Sequence, residues 1–315
     1  MDVRKEFETI VKTAEKLGTD ASKFMDKRIA SIIISGDRVI GLNNVPGVNL
    51  NHKQIEHGVE VNMEITEGVE VPFPIHVCTG YIEKKGYQRI IFNIRIKKGA
   101  KVKFTAHCVF PQAEEFTHDA TSNVVVEEGA IMEYNDEHYH SEFGTISLKT
   151  ITNAVVEKNG VYKNTFHLTK TRVGKMNIVM NLDLREGAVG ELVSKVKASK
   201  DDSVNINEII HLNGERARGL AKTVVVGLDE SKVNVLNEAY GNAPYSRAHI
   251  SCEEITKGEN VIVSTTPVLK ISNDLAELTH EASIGRVSQK QLETLMAKGL
   301  TDEEATELII KGLLL

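Results

Sequence analysis

Met176-Asn177-Ile178-Val179-Met180-Asn181-Leu182-Asp183-Leu184 is apolar at every even position, with Asn177, Asn181 and Asp183 between. Successive side chains of a strand point to opposite faces, so this period of two marks a strand with one buried face. Runs of similar character recur on both sides of it: Val102-Lys103-Phe104, Val124-Val125-Val126, Val204-Asn205-Ile206, Val224-Val225-Val226 and Val261-Ile262-Val263. The turns between them share a flavour: Lys98-Gly99-Ala100, Glu128-Gly129-Ala130, Asn159-Gly160-Val161, Glu186-Gly187-Ala188 and Asn213-Gly214-Glu215. Their glycines stand 30, 31, 27 and 27 residues apart. This spacing suggests a solenoid in which each coil stacks on the last; a β-sandwich is the other architecture open to the pattern. No convincing helix is found between about residue 50 and residue 285.

The two ends read differently. Phe7, Ile10, Val11, Ala14 and Leu17 follow helical spacing, and Gly18 stands where a C-terminal cap belongs. From about Arg28 the period changes, and Ile32-Ile33-Ile34 and Val39-Ile40 read as short strands. At the other end Ser288 is followed at the third position by Gln291, and Thr301 by Glu304, two capping boxes. Leu292, Leu295 and Met296 form an apolar stripe that ends at Gly299, and Leu308, Ile309 and Leu313 continue the face. Two such short helices cannot bury these faces alone, so the hairpin is expected to dock on its own solenoid or on another protein.

Composition narrows the function. Aromatics are 5% and Trp is absent, so the core is aliphatic and strand-rich. Lys+Arg 38 against Asp+Glu 44 gives a net charge of -6, without a basic stripe, which speaks against nucleic acid. The charged start carries no apolar signal segment, and no run approaches the length of a membrane span. Three cysteines do not make a disulfide framework, so a reducing cytoplasm is the expected setting.

Phosphate-loop, nucleophile-elbow and zinc-helix motifs are all missing, so nucleotide chemistry would have to come from a partner. Soft ligands are present. His76-Val77-Cys78 and His138-Tyr139-His140 each place two of them on one strand face, whereas His107 and Cys108 point to opposite faces. Either pair could equally be a hydrogen-bonded or solvated face, and Cys252 by default is a small core residue.

The tail adds more. Leu278-Thr279-His280-Glu281-Ala282-Ser283-Ile284-Gly285-Arg286, then Gln291-Leu292, then Met296-Ala297-Lys298-Gly299-Leu300-Thr301-Asp302-Glu303-Glu304-Ala305, resembles the C-terminal signature of the SufB/SufD family. These are the scaffold subunits of the SUF iron–sulfur cluster assembly machinery. The likeness is closest over roughly 270–312 and extends over 100–270. It fades before residue 50, where the Cys-rich segment of larger members is absent, as in a short, SufB-like member of a minimal system. Cys252 precedes Glu281 by 29 positions, as a cysteine does in SufB-type members. Cys108-Val109-Phe110-Pro111 followed by His118-Asp119-Ala120 is similar to the family's Cys-x-x-Pro and His-x-Ala segments. Thr279 stands where SufB-type members have Glu.

The resemblance implies a mainly β protein: a right-handed parallel β-helix over 51–285, a small N-terminal α/β region over 1–50 and a C-terminal helical hairpin over 286–315. It implies a scaffold rather than an enzyme, acting with a SUF-type ABC ATPase (SufC-like) that grips the C-terminal hairpin. The cofactor implied is a transient iron–sulfur cluster built at a dimer interface. Cys252, Glu281 and His280 are its implied ligands, with His280 coming from the partner subunit because His280 and Glu281 are adjacent on a strand. Cys108 is the implied sulfur acceptor; Cys78 has no counterpart. Further partners are a second copy of this chain or a SufB/SufD paralogue, a sulfur donor, and apo-proteins that receive the cluster. A transferable cluster suits fewer thiolates than the four of a stable ferredoxin site. A β-solenoid carbohydrate-active enzyme and a cluster-free structural adaptor for the ATPase are the competing readings. The absence of Trp, a usual sugar platform, counts against the former.

Overall fold

A computed structural model describes residues 3–18 and 20–314 of the chain. Met1 and Asp2, from the charged start, lie outside the described residues. Nineteen strands and three α-helices are described. After helix α1 (Val3–Glu15) and a 3-10 turn (Ala21–Met25) come β1 (Ser31–Ser35), β2 (Arg38–Asn43), β3 (Val48–Ile55) and β4 (Gly58–Ile65). The middle of the chain forms β5 (Ile75–Gly80), β6 (Lys85–Ile96), β7 (Lys101–Phe110), β8 (Glu115–Val126), β9 (Ile131–His140), β10 (Ile146–Val156) and β11 (Val161–Leu168). It continues through β12 (Lys175–Leu184), β13 (Val189–Ala198), β14 (Ser203–Leu212), β15 (Arg218–Leu228), β16 (Lys232–Gly241), β17 (Arg247–Lys257), β18 (Ile262–Ile271) and β19 (Glu277–Arg286). Helices α2 (Gln289–Met296) and α3 (Asp302–Leu314) close the chain.

From β5 onward the strands alternate between two sheets, odd numbers in one and even numbers in the other. Each strand pairs in parallel with the one two ahead, so one coil contributes one rung to each sheet. The chain is a β-solenoid, not a sandwich. Only the first rungs depart: β2 folds back antiparallel on β1, and β3 on β4.

Met176, Ile178, Met180, Leu182 and Leu184 all point into the space between the sheets. The alternate residues build ladders on the outside. Asn62, Asn93, Asn123, Asn153 and Asn181 are successive partners across five coils, and each side chain hydrogen-bonds the next at 2.9–3.5 Å. Identical residues on adjacent rungs satisfy each other, which locks the coils in register.

The glycine turns are real, but their deeper regularity is conformational. Gly99, Gly129, Asn159, Gly187, Arg216 and Tyr245 all adopt φ between 55° and 67°. Each donates its backbone N–H to a carbonyl in the next coil's turn. Asn159, rather than Gly160, is therefore the counterpart of Gly99, and Arg216, rather than Gly214, that of Gly187. Gly214 is needed for another reason. A Cβ there would meet the Arg185 carbonyl carbon at 1.9 Å, so the coils could not approach.

The N-terminal helix covers the outer face of the odd sheet. Ile10, Val11, Ala14 and Leu17 pack on Ile33, Cys78 and Val109, and Gly18 ends the helix with φ 101°. The C-terminal hairpin also docks on its own solenoid. Ile310 and Leu314 cover Val224 and Val226, while Ala305 and Ile309 pack with Leu292 and Val287. The buried face is thus turned from the one expected. Leu308 is 50% exposed and Met296 44%, because α3 divides its apolar residues between the sheet and α2. Thr301 and Glu304 form both bonds of the capping box; Ser288 accepts from the Gln291 N–H at 3.4 Å. No described helix is long and apolar enough to cross a membrane.

Two alanine substitutions separate these glycine roles. Gly129→Ala, with open space around it, meets only the left-handed penalty of about 1–2 kcal/mol. Gly214→Ala must push backbone aside and should cost roughly 3 kcal/mol. Urea unfolding of both variants should show the larger loss at Gly214; equal losses would refute the close-approach account.

Candidate functional site

Inward positions of a solenoid are normally apolar, because a buried polar group without a partner costs several kilocalories. Two clusters break that rule, one around Cys108 and one around Cys252.

The first lies between β7 and β9. Cys108 pairs with His138 across the ladder, and Asp136 sits two residues earlier on the same face. Cys108 Sγ lies 3.9 Å from Asp136 Oδ1, and His138 Nε2 lies 3.3 Å from Asp136 Oδ2. The three ligand atoms all fall within 4.8 Å of one another. Thr79 Oγ1 donates to Cys108 Sγ at 2.9 Å. His118, from β8 in the facing sheet, donates through Nδ1 to Gln88 Oε1 at 2.9 Å. A cavity of about 40 Å³ is bordered by Cys108, His118, Asp136, His138, Tyr162 and Asn164, among others. Burial would push the Asp136 carboxyl up, but the imidazoles of His138, His118 and His107 outweigh it and hold the carboxyl below its usual range. Burial pushes the Cys108 thiol well up, with the Asp136 charge adding to the effect.

The second cluster lies three to five rungs on, in β13 to β17. Glu208, fully buried, accepts from Ser194 Oγ (2.6 Å), Thr223 Oγ1 (2.9 Å) and Asn237 Nδ2 (2.8 Å). Cys252 is the ladder partner of Thr223 and faces inward. Glu254 follows on the same face, 0% exposed, and neither carboxylate oxygen has a hydrogen-bond partner among the described residues. Burial raises the Glu254 carboxyl to about 7 and the Cys252 thiol to about 11.

The implied ligands fall around this second cluster. Ile250 pairs with His280, Ser251 with Glu281 and Cys252 with Ala282. Cys252 and His280 therefore share the inward face of the odd sheet, and Glu281 lies on the outward face. Both His280 and Glu281 are exposed, on the last rung of the solenoid.

The other soft-ligand pairs fare differently. His107 and Cys108 do point to opposite faces. His76 and Cys78 share the outer face, but Cys78 lies under α1 with its thiol raised by burial to about 12, while His76 packs edge-on against Phe24. Asp136 and Glu254 were not singled out from sequence. The available signal was the alternation Asp136-x-His138-x-His140, three polar side chains on the face that a solenoid turns inward.

The family described as "SUF system FeS cluster assembly, SufBD core domain" matches residues 83–313. The chain belongs to the SufBD family. An iron-sulfur cluster assembly SufBD family protein of Pyrococcus horikoshii is 50% identical over 310 residues, covering 98% of this chain and 94% of its own. Another, of Methanocaldococcus jannaschii, is 32% identical over 314 residues, covering 100% of this chain and 99% of its own. A longer P. horikoshii member is 29% identical over 250 residues, which are 79% of this chain and 55% of that one. As a SufBD protein the chain has a scaffold-like place in iron–sulfur cluster assembly, and both clusters lie within the matched core.

The thiolate is the form that reacts with alkylating agents, so thiols raised by burial react slowly. At pH 8 the folded protein should resist iodoacetamide at Cys78, Cys108 and Cys252, and take up three equivalents once unfolded. Mass spectrometry showing rapid labelling of Cys252 in the folded protein would contradict the burial described.

Proposed function

We propose that this SufBD protein assembles a transient iron–sulfur cluster on two chains that meet at the C-terminal end of the solenoid, and that an ABC-type ATPase acts on it through the hairpin. The observation that carries the reading is the last coil. Its inward row is left open, with His280 exposed just beyond the buried Cys252 and Glu254. Ile262, Ile271, Leu275 and Ile284, all of this coil and its turn, are 49–56% exposed. A run of exposed apolar residues at an unpaired strand edge is the surface that a second solenoid end would cover.

A site using Cys252, Glu281 and His280 draws on two chains. The resemblance divides the set as Cys252 and Glu281 from one chain and His280 from its mate, whereas the register, with Cys252 and His280 on the inner face and Glu281 on the outer, supports Glu281 as the ligand a second chain supplies. Two copies of this chain, or one copy and a SufB/SufD paralogue, supply the set. Mixed thiolate, carboxylate and imidazole ligation holds iron less firmly than four thiolates, which suits a cluster that is handed on to apo-proteins. Cys108, inside the same lumen, is the acceptor for sulfur delivered by a donor protein, and the setting is the reducing cytoplasm, where thiols stay free.

Anaerobic reconstitution with iron and sulfide tests the site. The wild type should develop thiolate-to-iron absorbance, Cys252→Ser should lose most of it, and Cys78→Ser should retain it. A Cys252→Ser protein that loads as fully as the wild type would leave a cluster-free adaptor as the better reading.

The ATPase surface needs a test that leaves the fold intact. Removing 287–315 would uncover Val224, Val226 and Ile255, so truncation confounds docking with stability. Leu308→Glu and Met296→Glu change only exposed positions and should leave the melting temperature within a few degrees. Both should weaken co-purification with the ATPase at least tenfold. Unchanged binding in the double variant would place the docking surface elsewhere.

A further inference from the structure

His140 Nδ1 lies 3.2 Å from the Val173 carbonyl oxygen, which can only accept, so this nitrogen carries a proton. With Nδ1 protonated, Nε2 of the neutral ring is an acceptor, and it faces His138 Nδ1 at 3.3 Å. His138 Nδ1 therefore donates, so in the neutral ring the lone pair of His138 is on Nε2, where either a proton or a metal ion can stand between it and Asp136. That lone pair points into the 1% exposed interior, 3.3 Å from a carboxylate oxygen of Asp136, and has no hydrogen-bond donor among the described residues. Two lone pairs at this distance repel unless a positive charge stands between them. Cys108 Sγ completes the triangle.

We propose that Cys108, Asp136 and His138 form a mononuclear site for a borderline divalent cation, of the ferrous or zinc kind, inside the lumen. A thiolate, an imidazole and a carboxylate make a donor set of intermediate softness, which selects such ions over calcium or magnesium. Ligands around a tetrahedral ion lie roughly 3.3–3.7 Å apart, given bond lengths of about 2.0–2.3 Å. The observed 3.3 Å and 3.9 Å need shifts of only a few tenths of an ångström, and the Cys108–His138 pair, within 4.8 Å, closes by about 1.3 Å at most. The relay from Val173 through His140 to His138 is the kind of second tier that fixes the tautomer of a ligating histidine. Three protein ligands leave a fourth position open, and the 40 Å³ cavity beside them has room for a bound water or sulfide. Asp136 keeps 20% of its side-chain surface accessible, as a group bordering that space would. Binding converts Cys108 from thiol to metal thiolate and releases its proton to solvent.

This site stands apart from the two-chain cluster site. Cys108 on β7 and Cys252 on β17 are five rungs apart, roughly 24 Å. The inference goes beyond the cluster reading and does not need it, because ion binding is read directly.

The test is anaerobic titration of the metal-stripped full chain with cobalt(II) chloride. One cobalt per chain should bind with near-ultraviolet thiolate charge-transfer absorbance, release one proton and raise the melting temperature. Cys108→Ser should abolish the absorbance. Asp136→Asn and His138→Gln, both close in shape, should each weaken binding at least tenfold. Cys252→Ser should bind as the wild type does, whatever becomes of cluster loading. Should Cys108→Ser fail to fold, the Asp136→Asn titration decides alone. The proposal is overturned if the wild type shows no thiolate absorbance at millimolar cobalt, if the band survives in Cys108→Ser, or if Asp136→Asn and His138→Gln bind as tightly as wild type.

Discussion

Parallel, in-register pairing of each rung with its neighbours is the constraint on which this molecule rests. Side chains alternate with a period of two, so a slip of one residue anywhere would turn a whole rung's core outward. Local devices prevent the slip at every coil. Asparagines stack on asparagines along the even sheet, and each left-handed turn residue donates its N–H to the carbonyl just before its counterpart in the next coil. Each is weak alone, but neighbouring coils share them, so the solenoid is stabilised as a stack.

The same constraint explains how polar groups come to sit inside. An inward row is filled by stacking like on like, and a polar residue survives there only where a neighbouring rung or the facing sheet satisfies it. Glu208 is such a case, held by Ser194, Thr223 and Asn237 from three other strands. Glu254 and His138 are not, and those two unsatisfied groups stand beside Cys252 and Cys108. Both lumenal thiols of this SufBD protein thus have an unpaired ligand atom within a rung of them. A fold that sacrifices some core stability at these two points concentrates soft-metal chemistry in its lumen.

The ends of the stack are treated differently. At the first rungs β2 and β3 turn back antiparallel, and α1 covers the outer face; Gly80 permits this because any Cβ there would strike Ile10. At the last rung β18 and β19 lack comparable cover. The hairpin that follows lies on the outer face of β15 and β17 instead of over the end. The consequence is a closed N-terminal end beside the Cys108 cluster and an open C-terminal end beside Cys252.

Local periodicity was enough to read much of this in the sequence. The alternation over 176–184 fixes a strand because no helix can bury every second residue, and the caps at Thr301 and Gly299 fix a helix boundary because their bonds span four residues or fewer. The tail around His280-Glu281-Ala282 was enough for the family. What depends on stacking was not legible. Asn159, Arg216 and Tyr245 take the left-handed turn position that glycine holds elsewhere, since hydrogen bonds to the next coil impose it. Leu308 faces out and Ile310 in, since α3 meets two surfaces whose positions no helical wheel contains. Asp136 and Glu254 resemble ordinary acidic residues until the rungs are laid down. Their meaning depends on which residues lie one coil away, about 30 positions along the chain, and only the register of the folded stack decides that.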